Sequence, residues 1–155
     1  MENSAQLKLS VEDVSGAPDV PSKHAFRHWV KAALAGRCSE AEIAIRIVGD
    51  AEGAQLNYVY RRKQGATNVL SFPADLPAGV PVPMLGDLVI CAPVVAREVR
   101  EQGKSVNDHW AHLVVHGCLH LLGFDHESMV DAETMESLER EILGRLGFGD
   151  PYVPR

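Results

Sequence analysis

The chain has 155 residues, of which 46% are hydrophobic and 23% are charged, and its formal net charge is −6 at pH 7. This length and composition predict a single domain over residues 1–155 with one packed core, and they exclude an intrinsically disordered chain. The negative net charge argues against a protein that coats nucleic acid with a globally basic surface, but it allows a local basic cleft.

The first half of the chain shows patterns typical of alternating strands and helices. Residues 7–11 and 43–47 alternate apolar and polar side chains, which predicts two half-buried strands. Between them, apolar residues recur at helical spacing over residues 26–34 and stop before Gly36, which predicts a helix. Residues 51–63 are predicted to form a short helix that ends in the basic run Arg61, Arg62 and Lys63.

The second half of the chain predicts two strands followed by three helices. Residues 68–72 and 85–91 form the strands, and most of residues 73–83 is a proline-rich loop because proline cannot complete a strand ladder. Residues 92–102, 107–122 and 131–146 form the helices. The predicted fold is therefore α+β, a small mixed sheet of about four strands covered by about five helices, with a strand order that the pattern leaves open.

Cysteine usage and the N-terminus bear on the cellular setting. Cys38, Cys91 and Cys118 are odd in number and form no CxxC pair, which argues against a disulfide framework or a cysteine zinc knuckle. The first residues, MENSAQLKLS, lack the order of a signal peptide, and no stretch reaches the ~18 apolar residues of a membrane span. We therefore expect a cytoplasmic protein without a membrane partner.

Three histidines near the end of the predicted helix 107–122 have the spacing of a zinc site. His116 and His120 are four residues apart, which places their side chains on one helix face. His126 would lie roughly 15 Å further along the axis than His116 if the helix continued, so the helix must end between them, and Gly123 accepts the left-handed conformation that ends a helix. The same spacing occurs in the long zinc motif of metzincin proteases, which leaves a fourth position to water. We therefore predict one zinc ion on His116, His120 and His126.

Neighbouring residues admit other interpretations. A histidine on an apolar helix is more often a hydrogen-bonded core residue than a ligand, but three at these offsets favour ligands. His112 is expected to lie beside the site or on the surface, and Asp125 either orients a ligand or serves the turn. Gly117 stands where the protease motif has its glutamate general base, which counts against a peptidase.

The run HGCLHLLGFDH, from His116 to His126, resembles the signature of the YbeY family of rRNA maturation factors. The segments NYVYRRK, TNVLSFP, LGDLVI and GFGDPY agree in the same order, so the resemblance covers about residues 40–152. It implies a single-strand-specific endoribonuclease of 16S rRNA 3′-end maturation and 70S ribosome quality control, with one zinc ion per chain. It also implies single-stranded rRNA and the small ribosomal subunit with its proteins as partners, and a substrate-binding arginine that maps to Arg61.

The leading hypothesis is thus a zinc-dependent endoribonuclease in which Arg61 and His116 are catalytic. The alternative is a noncatalytic ribosome-assembly factor with a structural zinc, and an open coordination position would favour the enzyme. The guanidinium of Arg61 can form a bidentate pair with a phosphate. Arg62 and Lys63 instead fit a solvated helix end that favours cations. The sequence leaves open the general base and whether water or the ribose 2′-hydroxyl is the nucleophile.

Overall fold

The computed structural model describes residues 6–74, 84–124 and 129–152, with the side chain of Met129 left out. Within these residues the predicted four strands and five helices are confirmed. The strands are β1 (Gln6–Asp13), β2 (Glu40–Val48), β3 (Val69–Pro73) and β4 (Met84–Cys91), and the helices are α1 (Lys23–Leu34), α2 (Asp50–Arg61), α3 (Ala92–Gln102), α4 (Val106–Leu121) and α5 (Met129–Arg145). The predicted loop at 73–83 lies largely outside the described residues.

The four strands form one mixed sheet in the order β1-β2-β4-β3. Strand β2 pairs in parallel with β1 and with β4, whereas β3 runs antiparallel to β4. The mixed character predicted from the sequence is therefore confirmed. Strand β3 lies at one edge, where Ser71 pairs with Leu88 and Phe72 pairs with Asp87.

The two faces of the sheet carry different helices, because successive side chains of a strand point to opposite faces. Leu88 and Ile90 of β4 belong to the main core, which also contains buried residues of α1, α4 and α5. Val89 and Cys91 belong to a smaller cluster on the other face, against which Leu56 of α2 packs. Helices α4 and α2 therefore lie on opposite faces of the sheet.

Helix α4 begins and ends at identifiable signals. The side chain of Ser105 accepts a hydrogen bond from the backbone N–H of Asp108 (3.1 Å), which caps the N-terminus. At the other end Gly123 has a φ of 103°, and the N–H groups of Gly123 and Phe124 donate to the carbonyls of His120 and Leu119. This bonding pattern is a Schellman motif, so the predicted helix end at Gly123 is confirmed.

Helix α2 is shorter than predicted from the sequence. It ends at Arg61 rather than at residue 63, because Arg62 adopts a left-handed conformation with a φ of 58°. Within the described residues, no helix combines the length and the apolar character needed to cross a bilayer.

Candidate metal centre

Helix α4 carries a row of histidines on one side. His109, His112, His116 and His120 follow one another at spacings of three and four residues, which brings their side chains together on one face. Successive ring centroids are 6.4, 6.2 and 4.6 Å apart, and the shortest separation is the one between His116 and His120. The row therefore closes up towards the C-terminal end of α4.

A buried carboxylate from α5 faces two of these rings. The side chain of Glu139 is only 1% exposed, and its Oε1 lies 2.8 Å from Nδ1 of His116. Its Oε2 lies 2.6 Å from Nε2 of His112 and accepts a hydrogen bond of 2.6 Å from the hydroxyl of Tyr152. Burial raises the pKa of Glu139, but the hydrogen bonds and charges of His112 and His116 outweigh it and lower the pKa to about 2. Glu139 is therefore ionised at neutral pH.

The ionised carboxylate determines where the ring protons are. A carboxylate only accepts hydrogen bonds, so Nδ1 of His116 and Nε2 of His112 must each carry a proton towards Glu139. Burial and the neighbouring Glu139 carboxylate raise the pKa of Tyr152, so its hydroxyl stays a donor. In a neutral His116 ring the lone pair is consequently on Nε2.

The lone pair of His116 points towards a second histidine nitrogen. Nε2 of His116 and Nε2 of His120 are 3.1 Å apart. Two nitrogens bound to one tetrahedral zinc ion by bonds of 2.0–2.1 Å lie about 3.3 Å from each other. The donor chemistry and the separation of these two atoms therefore fit two ligands of a single metal ion.

His112, His116 and Glu139 form an overlapping group that could also hold a metal ion, because each offers a ligand atom and these atoms lie within 4.8 Å of one another. The contacts from Glu139 to His112 and His116 are 2.6 and 2.8 Å long. These are lengths of hydrogen bonds to a charged acceptor, and they are shorter than the separation of about 3.3 Å expected for two ligands of one zinc ion. The distances therefore favour Glu139 as the partner of ring N–H groups over Glu139 as a metal ligand.

The residues predicted from the sequence are only partly brought together. His116 and His120 meet, whereas His126 and Asp125 lie outside the described residues. Arg61 is exposed at the end of α2, on the sheet face opposite to α4, and in the described part of the chain its side chain makes no hydrogen bond or ion pair. The expected neighbour His112 is half-buried and bonded to Glu139 rather than lying free on the surface.

Gly117 faces the sheet, which explains why a larger residue is absent there. A Cβ atom at this position would lie 2.8 Å from Cδ2 of Leu88 and 3.4 Å from Oγ of Ser71. A glutamate at 117 would therefore collide with β4 instead of reaching the histidines. The position at which the metzincin motif has its general base is therefore directed at β4 and away from the histidine row.

Glu139 was not identified from the sequence, although a signal was present. It lies four residues after Met135 and three before Ile142, both of which are 1% exposed, so it falls on the apolar face of α5. A charged residue on such a face is almost never buried without a partner. This position therefore indicated a buried carboxylate, while the identity of its partners required the tertiary structure.

A second, half-buried carboxylate lies at the N-terminal end of the histidine row. Oε1 of Glu98 is 2.8 Å from Nε2 of His109, which is 4% exposed, and the amide of Asn68 donates to both Glu98 oxygens at 3.1 and 3.3 Å. Burial raises the pKa of Glu98, but the hydrogen bonds from His109 and Asn68 hold it below its usual value. The carbonyl of Asn68 accepts from the N–H of Cys91, so this network joins the start of β3 to β4, α3 and α4.

Comparison with known proteins gives consistent matches. The family model described as Endoribonuclease YbeY matches residues 12–147. Proteins named Endoribonuclease YbeY from Xanthomonas campestris and Xanthomonas axonopodis are 61% and 63% identical over 152 residues, covering 96% of this chain and 94% of each relative. A Thermotoga maritima protein with a known solution structure shares the fold, with a TM-score of 0.53 at 23% identity over 96% of this chain and 99% of that one.

Proposed function

Because the chain belongs to the YbeY family of endoribonucleases, we propose that it is a zinc-dependent, single-strand-specific endoribonuclease that matures the 3′ end of 16S rRNA. In the same proposal it takes part in quality control of 70S ribosomes, and it works in the cytoplasm on single-stranded rRNA and the small ribosomal subunit with its proteins. The observation that carries the proposal is the 3.1 Å approach of Nε2 of His116 to Nε2 of His120, beside a carboxylate that holds the proton on the other nitrogen of His116.

We propose that His116, His120 and His126 hold one zinc ion per chain. The turn at Gly123 supports this ligand set, because α4 ends one residue after His120, whereas an uninterrupted helix would separate residues 116 and 126 by roughly 15 Å. Zinc bound there would act as a Lewis acid on a phosphoryl oxygen of the substrate. His116 is catalytic in this proposal because its nitrogen would hold that ion.

The C-terminal end of α2 carries cationic side chains that would attract an anionic substrate. Arg61 is proposed to bind a phosphate near the bond that is cut, since a guanidinium can donate two parallel hydrogen bonds to phosphate oxygens. Arg62 and Lys63 are exposed beside it and would add a weaker attraction. Arg61 is therefore proposed as both substrate-binding and catalytic.

The edge strand β3 lies between these two parts of the proposed site. The hydroxyl of Ser71 lies 3.4 Å from the carbonyl of Gly117 on the α4 side, whereas the ring of Phe72 lies 5.0 Å from that of Tyr60 on the α2 side. In this proposal an RNA strand that contacts both His116 and Arg61 crosses this edge of the sheet. A flexible single strand follows such a path more easily than a double helix, which fits the proposed specificity.

The proposal is tested by measuring zinc content and cleavage of matched single-stranded and double-stranded RNA for the purified protein, His120→Ala and His24→Ala. His24 is exposed on α1, so His24→Ala is a control for removing a histidine elsewhere and for contaminating nuclease. We expect the wild type and His24→Ala to hold zinc and to cut single-stranded RNA, and His120→Ala to lose both properties. Undiminished cleavage by metal-free His120→Ala would contradict the proposal.

A further inference from the structure

Glu139 accepts hydrogen bonds from three donors, two on α4 and one that follows α5. One oxygen, Oε2, accepts from His112 and from Tyr152, and the other, Oε1, accepts from Nδ1 of His116. With its side chain 1% exposed, water has almost no access to replace any of these donors. The position and the orientation of the carboxylate are therefore set by the protein.

The C-terminal segment fixes Tyr152 against α5. Its backbone N–H donates to Oδ1 of Asp150 at 2.8 Å, and Oδ2 of Asp150 accepts from Nε of Arg140 at 3.0 Å. The guanidinium carbon of Arg140 also lies 5.3 Å from the centre of the Tyr152 ring. Arg140 directly follows Glu139, so the C-terminal segment is attached to α5 beside the carboxylate that Tyr152 binds.

The Glu139 carboxylate determines which tautomer the His116 ring adopts. A neutral imidazole carries its proton on one nitrogen and a lone pair on the other. With Glu139 accepting from Nδ1, the lone pair is on Nε2, the atom 3.1 Å from Nε2 of His120. Without that acceptor the proton could move to Nε2, where it would occupy the lone pair that a metal needs.

From these contacts we propose that Glu139 is a positioning residue, held by Tyr152, that keeps the proton of His116 on Nδ1 and so presents Nε2 to a metal ion. The inference rests on the proposed function, because it assumes that His116 is a zinc ligand. It assigns to the segment GFGDPY a contribution to the site, since Tyr152 of that segment binds Glu139.

The first test is an NMR measurement of the histidine tautomers in the metal-free wild-type protein, at mildly alkaline pH, from couplings between ring nitrogens and ring protons. We expect the proton on Nδ1 for His116 and on Nε2 for His109 and His112. A His116 ring with its proton on Nε2 would overturn the proposal, and this result does not depend on any variant being folded.

The second test is zinc affinity, measured by competition with a chelator, for the wild type and Glu139→Gln. A glutamine has nearly the same size, but its amide can donate to Nδ1 of His116 and so favour the wrong tautomer. We expect zinc binding to weaken roughly 10–100-fold, as is typical when the partner of a ligating histidine is lost. The same NMR measurement should show the proton of His116 moved to Nε2.

Glu98→Gln is the matched control, because it makes the same exchange in the other carboxylate that pairs with a histidine of α4. It should leave zinc affinity and the His116 tautomer unchanged. An unchanged zinc affinity in folded Glu139→Gln would overturn the proposal, and so would a complete loss of zinc equal to that of His120→Ala, which would make Glu139 a ligand. If the wild type cut no RNA while zinc affinity and tautomer responded as expected, the proposed function would fail and the positioning role would stand.

Discussion

Each end of the histidine row on α4 pairs a histidine with a glutamate, but a different ring nitrogen faces the carboxylate at each end. At the N-terminal end, His109 gives Nε2 to Glu98, and its buried Nδ1 has no hydrogen-bond partner within the described part of the chain. At the C-terminal end, His116 gives Nδ1 to Glu139 and directs Nε2 towards His120. The ring nitrogen that faces the carboxylate therefore decides whether the histidine only joins two elements or also presents a ligand atom.

His112 shows that a hydrogen bond to Glu139 does not by itself make a histidine a candidate ligand. It bonds the same Glu139 as His116, but through Nε2, and its Nδ1 is buried without a hydrogen-bond partner among the residues described. His112 therefore resembles His109 in its ring orientation and His116 in its partner. The comparison teaches that ring orientation, more than the presence of a carboxylate, distinguishes a supporting histidine from a candidate ligand.

The largest expected effect is on stability, from removing each carboxylate. Glu139→Ala should lower the free energy of unfolding of the metal-free protein by about 3–5 kcal/mol, because it leaves several buried donors without their charged acceptor. Glu98→Ala should cost less, about 1–2 kcal/mol, because the Glu98 side chain is 25% exposed and water can reach its partners. Urea denaturation monitored by circular dichroism checks both values. Equal losses of unfolding free energy would contradict the distinction between the two ends of the histidine row.

A second prediction concerns how closely the C-terminal end of α4 is packed on the sheet. Gly117→Ala should destabilise the protein by about 1–3 kcal/mol, because the added Cβ would lie 2.8 Å from Leu88. Gly144→Ala in α5 is the control: beyond its own helix backbone and chain neighbours, no atom of the described residues lies within 4 Å of its added Cβ, so it should be neutral or stabilising. Thermal unfolding should give a lower melting temperature for Gly117→Ala and an unchanged or higher one for Gly144→Ala. A neutral Gly117→Ala would show that α4 can move away from β4.

The third prediction is that Arg61 contributes to RNA cleavage and not to metal binding. Arg61→Ala is expected to retain zinc and to weaken cleavage of single-stranded RNA about tenfold, since a charged hydrogen bond to phosphate contributes about 1.5 kcal/mol or more. Arg62→Ala is the neighbouring control and should have a smaller effect. Kinetics and metal analysis on the same samples test this, and zinc loss in Arg61→Ala would show that the arginine supports the metal site.

The smallest expected effect is the pH dependence due to Glu98. Its pKa is lowered in the folded protein, so its contribution to stability is present above its unfolded pKa of about 4.3 and is lost as the pH falls through the folded value. The difference in unfolding free energy between the wild type and Glu98→Gln should therefore shrink as the pH falls through the folded pKa of Glu98. A difference that stays constant from neutral to acidic pH would contradict this. Glu139 should act with the same sign down to a lower pH, because its pKa is about 2.

Local sequence patterns predicted the elements, but not how they are arranged. The alternation over residues 43–47 and the helical spacing over 107–122 are local, and both elements form as β2 and α4. The order β1-β2-β4-β3 depends on packing between distant segments, which no local pattern encodes. The early end of α2 was also missed, because the left-handed conformation of Arg62 is unusual for a residue other than glycine.

Sequence patterns likewise predicted only part of the candidate site. The pairing of His116 with His120 follows from helical spacing alone, and the structure brings their nitrogens together. Glu139 is 23 residues from His116, so its role depends on how α5 packs against α4. The roles of His126 as a ligand and of Arg61 as a catalytic residue, and the single domain over residues 1–155, remain predictions.

The central claim is that Nε2 of His116 and Nε2 of His120 bind one zinc ion while Glu139 holds the opposite nitrogen of His116. A crystal structure of the zinc-loaded protein, with anomalous diffraction measured at the zinc edge, tests it most directly. We expect one peak at about 2.0–2.1 Å from both Nε2 atoms, with Glu139 still hydrogen-bonded to Nδ1. A peak bound by the Glu139 carboxylate and His112, or no peak beside His120, would contradict the claim.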